Sequence, residues 1–171
     1  GTTQNNQAAN EAEIRDNDTA PTVVAPTESV SEEGLANGLP DSDGTTDISN
    51  SAVVIGQIQA SDADGDTVTV TVGAPTEPLY VVGSTEAITW TADGSGGWIG
   101  TVGTGAGAPV AATMEVSGNG SYTFTLNMPL QHPAQGEDVL PINFPVSVTD
   151  GVNSNATTLT IQVEDDAPVP T

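Results

Sequence analysis

Four stretches of the chain alternate apolar and polar residues with a period of two. Across 66–72, Val68, Val70 and Val72 share one face, and Thr67, Thr69 and Thr71 share the other. The same rule places Tyr122, Phe124 and Leu126 together in 121–126, Ile142, Phe144, Val146 and Val148 in 142–148, and Leu159, Ile161 and Val163 in 158–163. Successive strand residues point to opposite faces, so each stretch predicts a half-buried strand. Weaker candidates cover 23–30, 52–59, 79–82, 87–91, 98–102 and 110–116. Between them lie turn phrases such as LANGLPDSDG, SDADGD, ADGSGG, SGNGS and TDGVNSN, whose residues accept positive φ or bond to their own turns. No stretch keeps helical spacing, and Thr, Val, Gly and Pro occur throughout, so little helix is expected. The pattern predicts an all-β fold, an antiparallel β-sandwich of seven to nine short strands. Pro145 stands inside a good strand and cannot donate to a ladder, which predicts an edge or a bulge there. The Gly-rich segment 94–109 reads as a wide hairpin, a mobile loop or an insertion point.

Charge changes the picture more than length does. The 171 residues suffice for one ordinary domain with short flanks. Twenty-three carboxylates face a single cation, Arg15, for a formal charge of -22. Such a field repels phosphate backbones and anionic lipid headgroups, so neither nucleic acid nor membrane is an expected partner. Self-repulsion on this scale opposes compaction unless counterions relieve it. With no Cys and one His, disulfides and thiolate metal sites are excluded, and little is left for zinc or for His-based catalysis. Oxygen ligands are plentiful and suit calcium. No apolar run approaches the roughly 20 residues of a spanning helix. A soluble chain is expected, with any targeting signal outside this sequence and residues 1–10 a disordered leader or a fragment of something upstream.

The sharpest chemical signal is SDADGD, where Asp62, Asp64 and Asp66 alternate and Gly65 permits a tight turn. Alternating carboxylates in a tight loop can turn their oxygens toward one point, where a hard cation could sit. Counting from Asp62, the twelfth place is Gly73 rather than a bidentate Glu, so the loop is not an EF-hand. Three carboxylates rarely fill a calcium shell of six to eight oxygens, and Asp16, Asp18, Asp150, Glu32, Glu33, Asp165 and Asp166 are the candidates to complete one. Each cluster taken singly also reads as a solvated turn.

The acids sit in phrases that resemble known repeats. RDNDTAP is similar to the linker of cadherin repeats, ASDADGD to their D-A-D loop, and Asp150 before Gly151 to the aspartate of a third cadherin segment. Glu32 falls where those repeats carry a glutamate on the first strand. A fuller resemblance is to the Ig-like repeats of type I secreted bacterial RTX adhesins. The stretches EEGLANG, SDADGDTVTVTV, ITWTADG, GSYTFTLNMPLQHP, INFPVSVTDG and TIQVEDDAP follow that family's order over about residues 22–169. The resemblance implies an Ig-like or cadherin-like sandwich with Greek-key topology, acting as a calcium-dependent extender of a secreted adhesin at the bacterial surface and supporting adhesion or biofilm formation. It implies a monomer whose partners are the neighbouring repeats of its own chain. An upstream junction would use Asp16, Asp18, Asp62, Asp64 and Asp150, and a downstream one Glu32 or Glu33 with Asp165 and Asp166. Gln131 replaces an expected Asp and weakens the downstream set. IRDNDTAP near the start and IQVEDDAP near the end superpose about one domain length apart. The expected organisation is therefore a leader and linker over 1–21, a sandwich repeat over 22–164 and a second linker over 165–171.

Other residues leave a second reading open. Trp90 closes an apolar run and is expected in the core, whereas Trp98, among glycines, could pack inward or stack on a sugar. A glycan- or surface-binding module, or a scaffold for an inserted ligand-binding domain, is the alternative. His132 reads as a turn or packing residue. No nucleophile elbow or triad is evident, and no enzyme is expected.

Overall fold

The structure, a computed structural model, describes residues 18–39, 49–133 and 138–166. Eleven strands run through the described residues: β1 (Thr22–Val24), β2 (Thr27–Ser31), β3 (Val53–Gln57), β4 (Gln59–Ser61), β5 (Thr69–Val72), β6 (Ile88–Ala92), β7 (Trp98–Val102), β8 (Val110–Val116), β9 (Ser121–Leu126), β10 (Val139–Thr149) and β11 (Ser154–Glu164). A four-stranded sheet has the order β2-β11-β10-β5, a five-stranded sheet the order β3-β9-β8-β7-β6, and β1 pairs with β4 in a short ribbon. All pairs are antiparallel except β2 with β11. The one helical element among the described residues is a 3₁₀ turn at Glu32–Gly34.

The two large sheets face each other across the residues that the alternation places inward. Tyr122, Phe124 and Leu126 meet Ile142, Phe144, Val146, Val148, Leu159, Ile161 and Val163, all at most 2 % exposed. Phe124 and Phe144 touch edge to face across the sheets at 6.0 Å between ring centroids, and Trp90 meets Phe144 the same way at 5.7 Å. Such contacts add about 0.5–1.5 kcal/mol beyond the area they bury.

The strand count exceeds seven to nine because two predicted strands each divide. The stretch 23–30 breaks around Pro26, so that β1 joins β4 while β2 joins β11. The stretch 52–59 breaks at the fully buried Ile58, where the chain leaves β9 for β1. Residues 79–82 form only isolated bridges, Tyr80 with Ala87 and Val81 with Leu130. Of the three readings of the Gly-rich segment the fold shows the hairpin: β7 lies inside it, between β6 and β8, and residues 103–109 join β7 to its antiparallel partner β8. There Gly100 lets Trp90 and Ile88 lie close, since a Cβ at that position would meet both at 2.9 Å.

Pro145 departs from the edge expectation in an instructive way. Strand β10 is interior to its sheet, but β5 covers it only from Val146 to Thr149. The Pro145 carbonyl accepts from the Gly73 N–H at 2.7 Å, just past the last paired residue of β5. The N–H that proline lacks would point the same way, where the partner strand has already ended.

Candidate functional site

The long β10–β11 hairpin sets the distance between two acidic ends. It pairs Thr149 with Ser154 at one end and Val139 with Glu164 at the other. Ten residue steps at about 3.3 Å each separate the ends by roughly 33 Å. The upstream end gathers the 62–66 loop, the hairpin turn and the chain entering β1. The downstream end gathers the 3₁₀ turn, the end of β11 and the approach to β10.

At the upstream end two turns treat their aspartates alike. Asp62 Oδ1 accepts the N–H groups of Asp64 at 2.7 Å and Asp66 at 3.4 Å, while Gly65 takes φ +83° to close the turn. Asp150 Oδ1 accepts those of Val152 at 2.7 Å and Asn153 at 2.6 Å, with Gly151 at φ +102°. In each case the second oxygen, Asp62 Oδ2 and Asp150 Oδ2, is shielded from solvent without a hydrogen-bond partner. The two carboxyl groups lie within hydrogen-bonding reach of each other.

Asp18 and Asp64 form a second such pair. The N–H and hydroxyl of Thr19 donate to Asp64 Oδ2 at 2.7 and 2.9 Å and hold its carboxyl below the ordinary range. The N–H groups of Asn153 and Val152 do the same for Asp150. Asp18 moves the other way, raised first by desolvation and then by the charges of Asp150, Asp64, Asp66 and Asp62. Its Oδ2 accepts from Asn153 Nδ2 at 3.1 Å. Asp66 remains exposed at the loop's edge, and Asp16 lies outside the described residues.

At the downstream end the two neighbouring glutamates part company. Glu32 is 1 % exposed, and its Oε1 accepts from the Leu130 N–H at 2.7 Å and faces His132 Nε2 at 3.1 Å. Glu33 turns to Asn50, whose side-chain amide donates to it. Asp165 lies against Glu32, and burial, followed by the Glu32 and Asp166 charges, pushes its carboxyl up to about 6 against the opposing pull of His132. Asp166 Oδ2 instead accepts from the Leu39 N–H at 3.2 Å. Gln131, which stands where the resemblance expects an aspartate, faces elsewhere: its side-chain amide donates to the Val81 and Ser84 carbonyls at 3.1 and 2.9 Å.

His132 packs inside the fold, and it does so between carboxylates rather than among apolar side chains. Its side chain is 2 % exposed and sits against Glu32, with Nδ1 4.0 Å from Asp138 Oδ2. Burial alone would lower its pKa, but the hydrogen bond to Glu32 and the charges of Glu32, Asp165 and Asp138 together raise it. Glu32, His132 and Asp165 are the trio of described residues whose ligand atoms all lie within 4.8 Å of one another. Asp138, Thr19 and Asn153 were not singled out as site residues, although Thr19 lies inside the RDNDTAP phrase and Asn153 inside the TDGVNSN turn phrase. Trp98 is half-buried against the core, and its indole N–H donates to the Val72 carbonyl at 2.9 Å, tying β7 to β5 of the opposite sheet.

No family model matches this chain, and comparison with curated proteins finds no match.

Proposed function

We propose that this chain is a calcium-binding structural module, an extender repeat of a large secreted bacterial adhesin that supports adhesion or biofilm formation at the cell surface. One observation carries the calcium reading: Asp62 Oδ2 and Asp150 Oδ2, shielded and without hydrogen-bond partners, belong to carboxyl groups that approach each other. Shielded anionic oxygens need a donor or a cation, because each unsatisfied polar group costs about 1–3 kcal/mol and more when charged. Asp18 and Asp64 would add oxygens, and a set made wholly of oxygen suits a hard cation. The residues present therefore fit calcium, with Asp62, Asp64, Asp150 and Asp18 as its holders. Bound calcium would remove the repulsion among these acids.

The mechanical role follows from where the acids sit. Asp18 and Thr19 precede β1, so fixing them to the 62–66 loop and the hairpin turn fixes the direction in which the preceding chain leaves the sandwich. The rigid hairpin then carries that direction to the opposite end. The Ig-like repeat resemblance supports the same reading, with neighbouring repeats as partners. A glycan-binding role for Trp98 has less support, because its N–H is already committed to Val72.

Thermal unfolding with calcium and with chelator tests the proposal. Extracellular calcium modules bind with Kd of about 10⁻⁴–10⁻³ M. An ion at 100 times its Kd adds about 2.7 kcal/mol, or roughly 5–11 °C in a domain of this size. An unchanged midpoint with calcium raised to about 10–100 mM, 100 times that Kd, would refute it.

A further inference from the structure

We infer that the downstream end is a metal site of different chemistry, in which His132, Glu32 and Asp165 bind a borderline divalent cation of the zinc type and Asp138 orients the imidazole. This goes beyond the calcium reading and fails independently of it. Sparse histidine and absent cysteine argue against zinc by count, but the fold places the single His between carboxylates.

The donor set comes first. One ligand atom from each of the three residues lies within 4.8 Å of the others. Tetrahedral zinc, with bonds of about 2.0–2.2 Å, holds its ligand atoms roughly 3.4 Å apart, so closure needs side-chain adjustments of about an ångström. An imidazole nitrogen beside two carboxylates matches the ligands that zinc accepts, whereas calcium takes oxygen. Three protein ligands leave a fourth position for water or for a group from another segment.

The second observation is the far side of the ring. His132 Nδ1 is buried without a hydrogen-bond partner, and Asp138 Oδ2 is 4.0 Å away. Metal-bound histidines nearly always donate the other ring N–H to a carboxylate or carbonyl, which fixes the tautomer. Here Nε2 faces the ligand Glu32 at 3.1 Å, and Nδ1 faces a carboxylate placed to orient it. A small inward movement would convert the 4.0 Å approach into a hydrogen bond.

Charge and access agree. Glu32, Asp138, Glu164, Asp165 and Asp166 converge on this end, and the chain's single Arg lies outside the described residues. Glu32 and Asp166 line a cleft of about 180 Å³ that opens beside the trio and offers an ion a way in.

The test uses the full chain without an affinity tag, stripped by chelator and held in excess calcium so that the upstream acids are engaged. Cobalt(II) serves as the probe, with zinc as competitor. One equivalent of cobalt should give the visible absorption of a low-coordinate nitrogen and oxygen site, which zinc then abolishes. His132 is the only histidine, so any imidazole signature belongs to it. His132→Gln should weaken binding more than tenfold, as should Asp165→Asn, which keeps Glu32 and His132 in place should the first variant misfold. Asp138→Asn should weaken binding about 10–100-fold at unchanged stoichiometry, as expected of a group that orients a ligand. Asp62→Asn should leave the cobalt spectrum unaltered. Absence of the absorption, or binding undiminished in both His132→Gln and Asp165→Asn, overturns the inference and leaves the calcium proposal untouched.

Discussion

The two ends of the sandwich hold their acids in different ways. Upstream, Asp62 and Asp150 sit in turns, each spending one oxygen on its own backbone and leaving the other shielded and unpartnered. Downstream, Glu32 is buried at the close of β2 and already has two neighbours, the Leu130 N–H and His132. Among the described residues the upstream end thus carries no positive charge, while the downstream end carries a side chain that can become positive. Similar acidity does not imply a similar partner: the local donors decide whether an ion, a proton or both complete the set.

Substitutions at each end should separate the two in order of effect. The double change Asp62→Asn with Asp150→Asn should remove most of the stabilisation of about 2.7 kcal/mol expected from calcium at 100 times its Kd, read as loss of the calcium-dependent melting shift. In chelator the same variant should melt no higher than the parent, because the Asn153 and Val152 N–H groups favour the Asp150 anion that it removes. Next in size, Glu32→Ala should destabilise by about 1–3 kcal/mol even without metal, because the buried Leu130 N–H loses its acceptor. Denaturant midpoints with and without calcium would show this cost to be independent of the ion.

Smaller effects sharpen the contrast. Gln131→Asp restores the residue that the resemblance expects, yet it should cost about 1 kcal/mol without improving metal affinity, because the Ser84 carbonyl loses the Gln131 donor and the Val81 carbonyl is left with the Ser84 N–H. The smallest effect is a pH dependence in chelator. Asp165 holds its proton up to about 6 in the folded chain, against 3.8 for the ordinary group, and His132 is also raised above 6.5. The folded state therefore binds more protons, and stability should rise as pH falls from 7 through 6. Asp64 and Asp150 are shifted downward, so below about pH 4 their contribution should be lost and stability should fall again. Melting scans across pH 3–7 would check both limbs.

Strand alternation made most of the sandwich legible. It located β9 within its true limits and the cores of β5, β10 and β11, because a sheet with one buried face imposes period two on the sequence. The division at Ile58 was not legible for the same reason: Val54, Gly56, Ile58 and Ala60 keep one phase while the chain changes partners. Among the site residues, Asp62 and Asp150 stand out because turn chemistry is local. His132 does not, because its neighbours Glu32, Asp138 and Asp165 come from distant segments and only the register of β2, β10 and β11 assembles them.

The central claim is that the orphaned carboxylates of the upstream end bind calcium. Titration calorimetry of the chelator-stripped chain with calcium, run beside the Asp62→Asn, Asp150→Asn variant, tests it most directly. Saturable binding in the 10⁻⁴–10⁻³ M range for the parent, abolished or weakened more than tenfold in the variant, is the expected result. Equal calcium binding by both chains, or none by the parent, would contradict it.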